Sequence, residues 1–212
     1  MTIFMKLFSN SDFQARVAEN GQPARFESFP LNDFLGKLNG KFLLVGTHEH
    51  NIELIKKFRD KSGIIIFDAH ASALPGVHDS FLRRITEILP SSRIILVGVR
   101  EFSIAEHTFL KESKIRYFSM QSVHENIVGV CDTVMENANP WIACHVFISL
   151  DVLDPAFVSV PRPSVGGMTS RELIYFVQRL RFLRNYTSAG IVDFENSIQL
   201  AEKLLCELAV QQ

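Results

Sequence analysis

Residue types that bind metals or move protons collect at four places where an apolar run stops. FLLVG (42–46) runs into Thr47-His48-Glu49-His50, GIIIFD (63–68) into Asp68-Ala69-His70, HVFISLD (145–151) into Ser149-Leu150-Asp151, and AGIVDF (189–194) into Asp193-Phe194-Glu195. Asp68 and His70 are two apart, so in extended backbone both side chains project to the same side and can grip one ion. With a second carboxylate from another strand, Asp151, the set suits Zn²⁺ or Mn²⁺ and leaves coordination positions for water. Water acidified by such an ion is a nucleophile near neutral pH. Each part also has a plainer reading. A strand-terminal Asp-x-His can be a turn or capping feature, His50 at a helix start a solvated cap, and Glu195 a surface carboxylate. The cluster is stronger than its members. His145, which precedes an apolar strand, reads as a packed histidine and stays outside the site.

These ends must be brought to one edge, and the surrounding pattern does that. Short β-branched or aromatic runs recur at 42–46, 63–68, 93–99, 114–119, 145–151 and 189–194. Continuously apolar strands of this kind are buried on both faces, as in a parallel sheet. Between them lie helical patterns over 52–59, 80–89, 103–112, 123–136 and 170–183. The alternation predicts a three-layer α/β/α sandwich on a mainly parallel sheet, formed by residues 1–212 as a single domain. The stretch 154–169, DPAFVSVPRPSVGGMT, carries three prolines and two glycines and predicts a long loop over the sheet. Long loops at strand carboxyl ends are where open α/β folds build sites.

Composition narrows the partners. With 22 Lys and Arg against 23 Asp and Glu, the formal charge is −1, which argues against nucleic acid or an acidic membrane surface as a partner. Cys131, Cys144 and Cys206 are far apart, odd in number and free of CxxC spacing, as expected of a reduced, cytoplasmic setting. The first residues lack a signal-type apolar core, and no later run reaches membrane-spanning length.

The ordered motifs resemble those of the ureohydrolase family, the arginases, agmatinases and formimidoylglutamases. Thr47 to Asn51 stands where that family has GGDHS, and Asp68-Ala69-His70-Ala71-Ser72 where it has DAHxD. His78-Asp79-Ser80-Phe81-Leu82-Arg83-Arg84 resembles HGTxxRR, and Gly98-Val99-Arg100 resembles GxR. Asp151-Val152-Leu153-Asp154-Pro155 fits the second half of SxDxDxxDP, and Pro163 to Glu172 resembles PxxGGLxxRE, the most specific single match. The resemblance implies the arginase/deacetylase-like fold. It implies His50, Asp68, His70 and Asp151 as metal ligands, His78 as a proton shuttle to the leaving amine, and Glu195 as the carboxylate that pairs with a small cationic substrate. Assembly as a homo-oligomer is a further expectation from it.

Two family carboxylates are replaced here by Ser72 and Ser149. Two negative charges are thereby removed from a site that in the family holds two divalent ions, and hydroxyls are weak ligands. One divalent ion, Mn²⁺ or Zn²⁺, is therefore expected per chain. The remaining Asp, His, Asp set looks like the single zinc site of the related deacetylases. Three readings follow: a hydrolase of linear C–N bonds of the amidine type, a mononuclear zinc amidohydrolase, or an inactive arginase-fold protein retained for binding or assembly.

Overall fold

The computed structural model describes residues 2–5, 25–27, 42–45, 47–58, 60, 62–74, 80–193 and 198–209. Eight strands form one sheet: β1 (Thr2–Met5), β2 (Arg25–Glu27), β3 (Phe42–Val45), β4 (Ser62–Phe67), β5 (Ile94–Val99), β6 (Arg116–Ser119), β7 (Ala143–Ser149) and β8 (Tyr186–Val192). Their order across the sheet is β2-β1-β3-β8-β7-β4-β5-β6, and every pairing is parallel. The helices are α1 (His48–Phe58), α2 (Phe81–Thr86), α3 (Ile104–Glu112), α4 (Met120–Glu125), α5 (Ile127–Ala138), α6 (Ser170–Leu180) and α7 (Ile198–Ala209).

The continuously apolar runs are what a sheet covered on both faces requires. In β4, Ile65 and Phe67 join one core with Val134, Phe176, Val177 and Leu204 of α5, α6 and α7. The intervening Ile64 and Ile66 join the other, with Ile52 of α1, Phe81 and Ile85 of α2 and Leu110 of α3. This is the expected three-layer sandwich, with strict alternation of side chains across the sheet.

Some elements differ from expectation. Strands β1 and β2 and helix α7 extend the pattern at both ends of the chain. The single helix expected over 123–136 is two, because Asn126 leaves helical geometry at φ −156°, ψ 75°. Its side chain accepts from the Gly129 amide at 2.9 Å and starts α5 as an N-cap. The expected helix start near 169–170 is found as a capping box, with Thr169 and Glu172 each satisfying the other's backbone amide.

A polar strut ties α1 to the sheet interior. Asn51 Nδ2 donates to the Thr47 carbonyl at 2.9 Å, and its Oδ1 lies 3.2 Å from His145 Nε2. Since Oδ1 can only accept, Nε2 carries the hydrogen, and Nδ1 accepts from the Ser188 hydroxyl at 2.7 Å. His145 is thus a packed, neutral histidine, and burial depresses its pKa to about 3. A depressed pKa means that the unfolded chain takes up the proton first as pH falls. The strut's contribution is full above pH ~6.5 and is lost as pH drops toward 3. Between pH 6.5 and 4.5 the unfolding free energy of His145→Gln is expected to fall less steeply, by about 2 kcal/mol, than that of the parent chain. Urea denaturation of both across that range checks it; parallel profiles would contradict the assignment.

Candidate metal centre

Strands β4, β7 and β8 lie side by side in the middle of the sheet, and the chain leaving each contributes a carboxyl group. Asp68 follows β4 directly, and its amide still donates to Val97 O at 3.2 Å. After a bend at Ala69, His70 forms a parallel bridge with Glu101 beyond β5. The Arg100 and Glu101 amides both donate to Ala69 O at 2.9 Å and lock this segment. Asp151 sits in a 3-10 turn (Leu150–Val152) immediately after Ser149.

One ligating atom from each of Asp68, His70 and Asp151 lies within 4.8 Å of the other two, the one such group of three among the described residues. Both carboxylates are 1% exposed. His70 Nδ1 is 2.8 Å from Asp151 Oδ2 and 3.6 Å from Asp68 Oδ1. The hydrogen bonds to Asp151 and then Asp68 raise the imidazole pKa to about 9. Burial, followed by the charge of Asp151, pushes Asp68 well above the usual carboxylate range. Burial would also raise Asp151, but the hydrogen bonds from His70 and Ser149 together outweigh it and leave this carboxyl low. Two buried carboxylates this close are costly unless a cation joins them. Two carboxylates and one imidazole are a donor set that Mn²⁺ and Zn²⁺ both use, so the residues present fit such an ion.

Ser149 links two carboxyl groups. Its hydroxyl is 2.8 Å from Asp151 Oδ1 and 2.7 Å from Asp193 Oδ2. A hydroxyl has one hydrogen, so both contacts are hydrogen bonds only when one carboxyl carries a proton. Burial raises the Asp193 carboxyl whereas Asp151 is held low, so Asp193 is the more basic of the two. Asp193, at the end of β8, therefore brings a third carboxyl group to the cluster. Sequence reasoning passed over it for Glu195, although both close the same apolar run. Ser72 lines the neighbouring cavity, and its buried hydroxyl has no hydrogen-bond partner among the described residues. Ser72 (φ 48°) and Asp193 (φ 59°) are left-handed non-glycine residues, a conformation that clusters at functional sites.

His50 lies in the first turn of α1, 7% exposed, with Nδ1 2.7 Å from Thr47 Oγ1. It does not belong to the group of three. His48, which sequence reasoning left without a role, packs its ring against Phe81 and Phe147 at 5.2 and 5.4 Å, and its buried Nε2 has no hydrogen-bond partner among the described residues. His78 and Glu195 lie outside the described residues.

The long loop is fastened over this edge as its composition predicted. Asp154 accepts from the amides of Ala156, Gly166 and Gly167 at 2.9, 2.7 and 3.3 Å. A side chain at Gly167 would lie 2.5 Å from the Asp154 nitrogen, so only glycine permits the approach. Arg100 threads between loop and turn. Its guanidinium donates to the carbonyls of Asp151, Val152, Leu153 and Ser164 at 2.9, 3.1, 3.1 and 2.7 Å. A cavity of about 380 Å³ opens beside the cluster, lined by His70, Ser72, Glu101, Phe102 and Arg162 among others.

A parallel sheet covered by helices on both faces, with Asp, His and Asp at the ends of its central strands, is a three-layer α/β/α sandwich with a candidate metal centre at one edge. The chain belongs to the arginase family, whose model matches residues 20–209. It is 29% identical over 178 residues, 80% of this chain and 61% of the relative, to an uncharacterized 32.2 kDa protein in the hmfB 3′ region of Methanothermus fervidus. It is 25% identical over 186 residues, 73% of this chain and 61% of the relative, to arginase of Staphylococcus aureus. The chain thus spans about three fifths of the length of these relatives. Arginase from Bacillus cereus superposes with a TM-score of 0.84 at 16% identity, covering 100% of this chain and 98% of that one, a likeness of fold. Among the described residues no helix is long and apolar enough to cross a membrane.

Proposed function

We propose that this chain is a metal-dependent hydrolase of linear C–N bonds of the amidine type, acting on a small cationic substrate with one divalent ion held by Asp68, His70 and Asp151. The observation that carries this reading is the meeting of three ligand atoms within 4.8 Å beside a cavity of about 380 Å³. Bound there, Mn²⁺ or Zn²⁺ would supply Lewis acidity, polarising the scissile group and acidifying water. Asp68 and Asp151 offset the ion's charge, and His70 completes the set through Nδ1. Glu195 offers its carboxylate to the cationic end of the substrate, and Asp193, held by Ser149, lines the same strand end. His78 moves a proton to the departing amine, and His50 supports the edge nearest α1. The second reading, an inactive arginase-fold binding protein, is favoured by the hydroxyls of Ser72 and Ser149.

Chelator-washed protein is to be titrated calorimetrically with Mn²⁺ and Zn²⁺, alongside release of urea or ammonia from a panel of guanidino and amidino compounds. About one ion per chain is expected, with none in Asp68→Asn. His70 must give up its Nδ1 proton to bind, so at pH 7, below its pKa of about 9, uptake is expected to release at least one proton. Apparent affinity then rises about tenfold per pH unit below that value. Comparison of buffers with different ionisation enthalpies reads the proton count. Ion uptake without proton release would remove His70 from the set. Ion binding with no turnover across the panel favours the inactive reading, and no ion at all sinks the hydrolase.

A further inference from the structure

The ion's place at Asp151 already has a protein cation beside it. Arg162 Nη2 lies 3.4 Å from Asp151 Oδ2, the same oxygen that faces His70 Nδ1. This contact is not the casual reach of a surface side chain. Arg162 stands between Pro161 and Pro163, and the ring of each fixes its own backbone while Pro163 restricts Arg162 to extended geometry. The following residue is bolted down twice. Ser164 Oγ donates to Glu101 Oε1 at 3.0 Å, and Ser164 O accepts from Arg100 Nη2 at 2.7 Å. A stiff, anchored segment therefore presents one guanidinium to one buried carboxylate. Arg100 does not share this role, because its donors are turned to backbone carbonyls. The Arg162 side chain is 40% exposed, against 1% for Asp151, and it also lines the 380 Å³ cavity.

Resting on the hydrolase reading above, we propose that Arg162 is a built-in competitor of the metal ion: its guanidinium holds Asp151 before loading, and an ion that takes Asp151 hands the guanidinium to the cavity, where it docks an anionic or carbonyl oxygen of the substrate. Like charges that share one carboxylate oppose each other, so the guanidinium weakens ion uptake. Once displaced, its planar fork suits a carboxylate or carbonyl oxygen. The chain in this way links ion occupancy to the presence of an oxygen-binding group in the cavity. The substrate accordingly carries such an oxygen at some distance from its scissile C–N bond.

The test uses the full chain and Mn²⁺ and Zn²⁺ as probes. Arg162→Gln is expected to bind either ion at least about tenfold more tightly than the parent, and Arg162→Lys to stay within about threefold of it. Phenylglyoxal modification of Arg162, followed by mass spectrometry, is expected to speed up several-fold when the parent chain is ion-loaded. Equal or weaker ion affinity in Arg162→Gln overturns the proposal while leaving the hydrolase reading standing. Unchanged or slower modification on loading also overturns it. Absence of ion binding in both parent and Arg162→Gln defeats the metal reading itself and this inference with it.

Discussion

Replacing Gly190 by alanine is expected to cost about 3–5 kcal/mol of stability and to weaken ion uptake at the same time. Gly190 lies in β8, paired on one side with Leu44 and on the other with Phe147. A β-carbon there would overlap Asn51 Oδ1 and lie 2.8 Å from Asn51 Cγ. Asn51 is wholly buried and cannot step aside into solvent. Displacing it breaks the bonds to Thr47 O and His145 Nε2, leaving the buried Nε2–H of His145 without its acceptor. The same displacement tilts the start of α1, which carries His48 and His50 to the edge of the cluster. Chemical denaturation and Mn²⁺ titration of Gly190→Ala measure the two effects. The clash itself is isolated by a double-mutant cycle: Asn51→Ala combined with Gly190→Ala is expected to lose clearly less than the sum of the two single losses. Simple additivity would show that Asn51 and Gly190 do not oppose each other.

The part of this site that could be read from sequence is the part that depends on strand geometry. Asp68 and His70, two apart at a strand end, do meet, and Asp151 ends another apolar run in the same sheet. Two residue types and one spacing were enough. Asp193 was equally visible at the end of a run, but its bond to Ser149 joins two strands far apart in sequence, and a left-handed aspartate has no sequence signature. Arg162 was read only as part of a proline-rich loop. Its approach to Asp151 follows from a path closed by Arg100 and Asp154 through contacts tens of residues apart in sequence. His145 is the packed histidine that its place in an apolar run suggested, yet its coupling to Asn51 and Ser188 depends on how α1 lies against β8. Strands β1 and β2 escaped for a different reason: their runs are short and lack the continuous apolar stretch that marks the central strands.

The double substitution Ser72→Asp/Ser149→Asp is expected to convert a one-ion site into a two-ion site, at a cost in stability that is large in the ion-free protein and mostly offset in the loaded one. Both positions stand where the ureohydrolase motifs carry aspartate, and both side chains are buried, at 5% and 0% exposure. Ser72 has the left-handed backbone that aspartate tolerates better than most residues, and its hydroxyl has no hydrogen-bond partner to lose among the described residues. At position 149 the new carboxylate would meet Asp151 and Asp193, now 2.8 and 2.7 Å from the serine hydroxyl. Without ions, five carboxyl groups would crowd one sheet edge, and a loss of about 3 kcal/mol or more is expected. Excess Mn²⁺ offsets most of this loss, because each ion present at a hundred times its dissociation constant contributes about 2.7 kcal/mol and the variant holds one more ion than the parent. Elemental analysis is expected to give two ions per chain in the double variant against one in the parent, and unfolding curves with and without Mn²⁺ should diverge far more widely for the variant. A count that stays at one would mean that His50 and the restored carboxylates do not converge. The ion number would then be set by how the chain ends of β3 and β4 are placed, and the two hydroxyls would be its consequence.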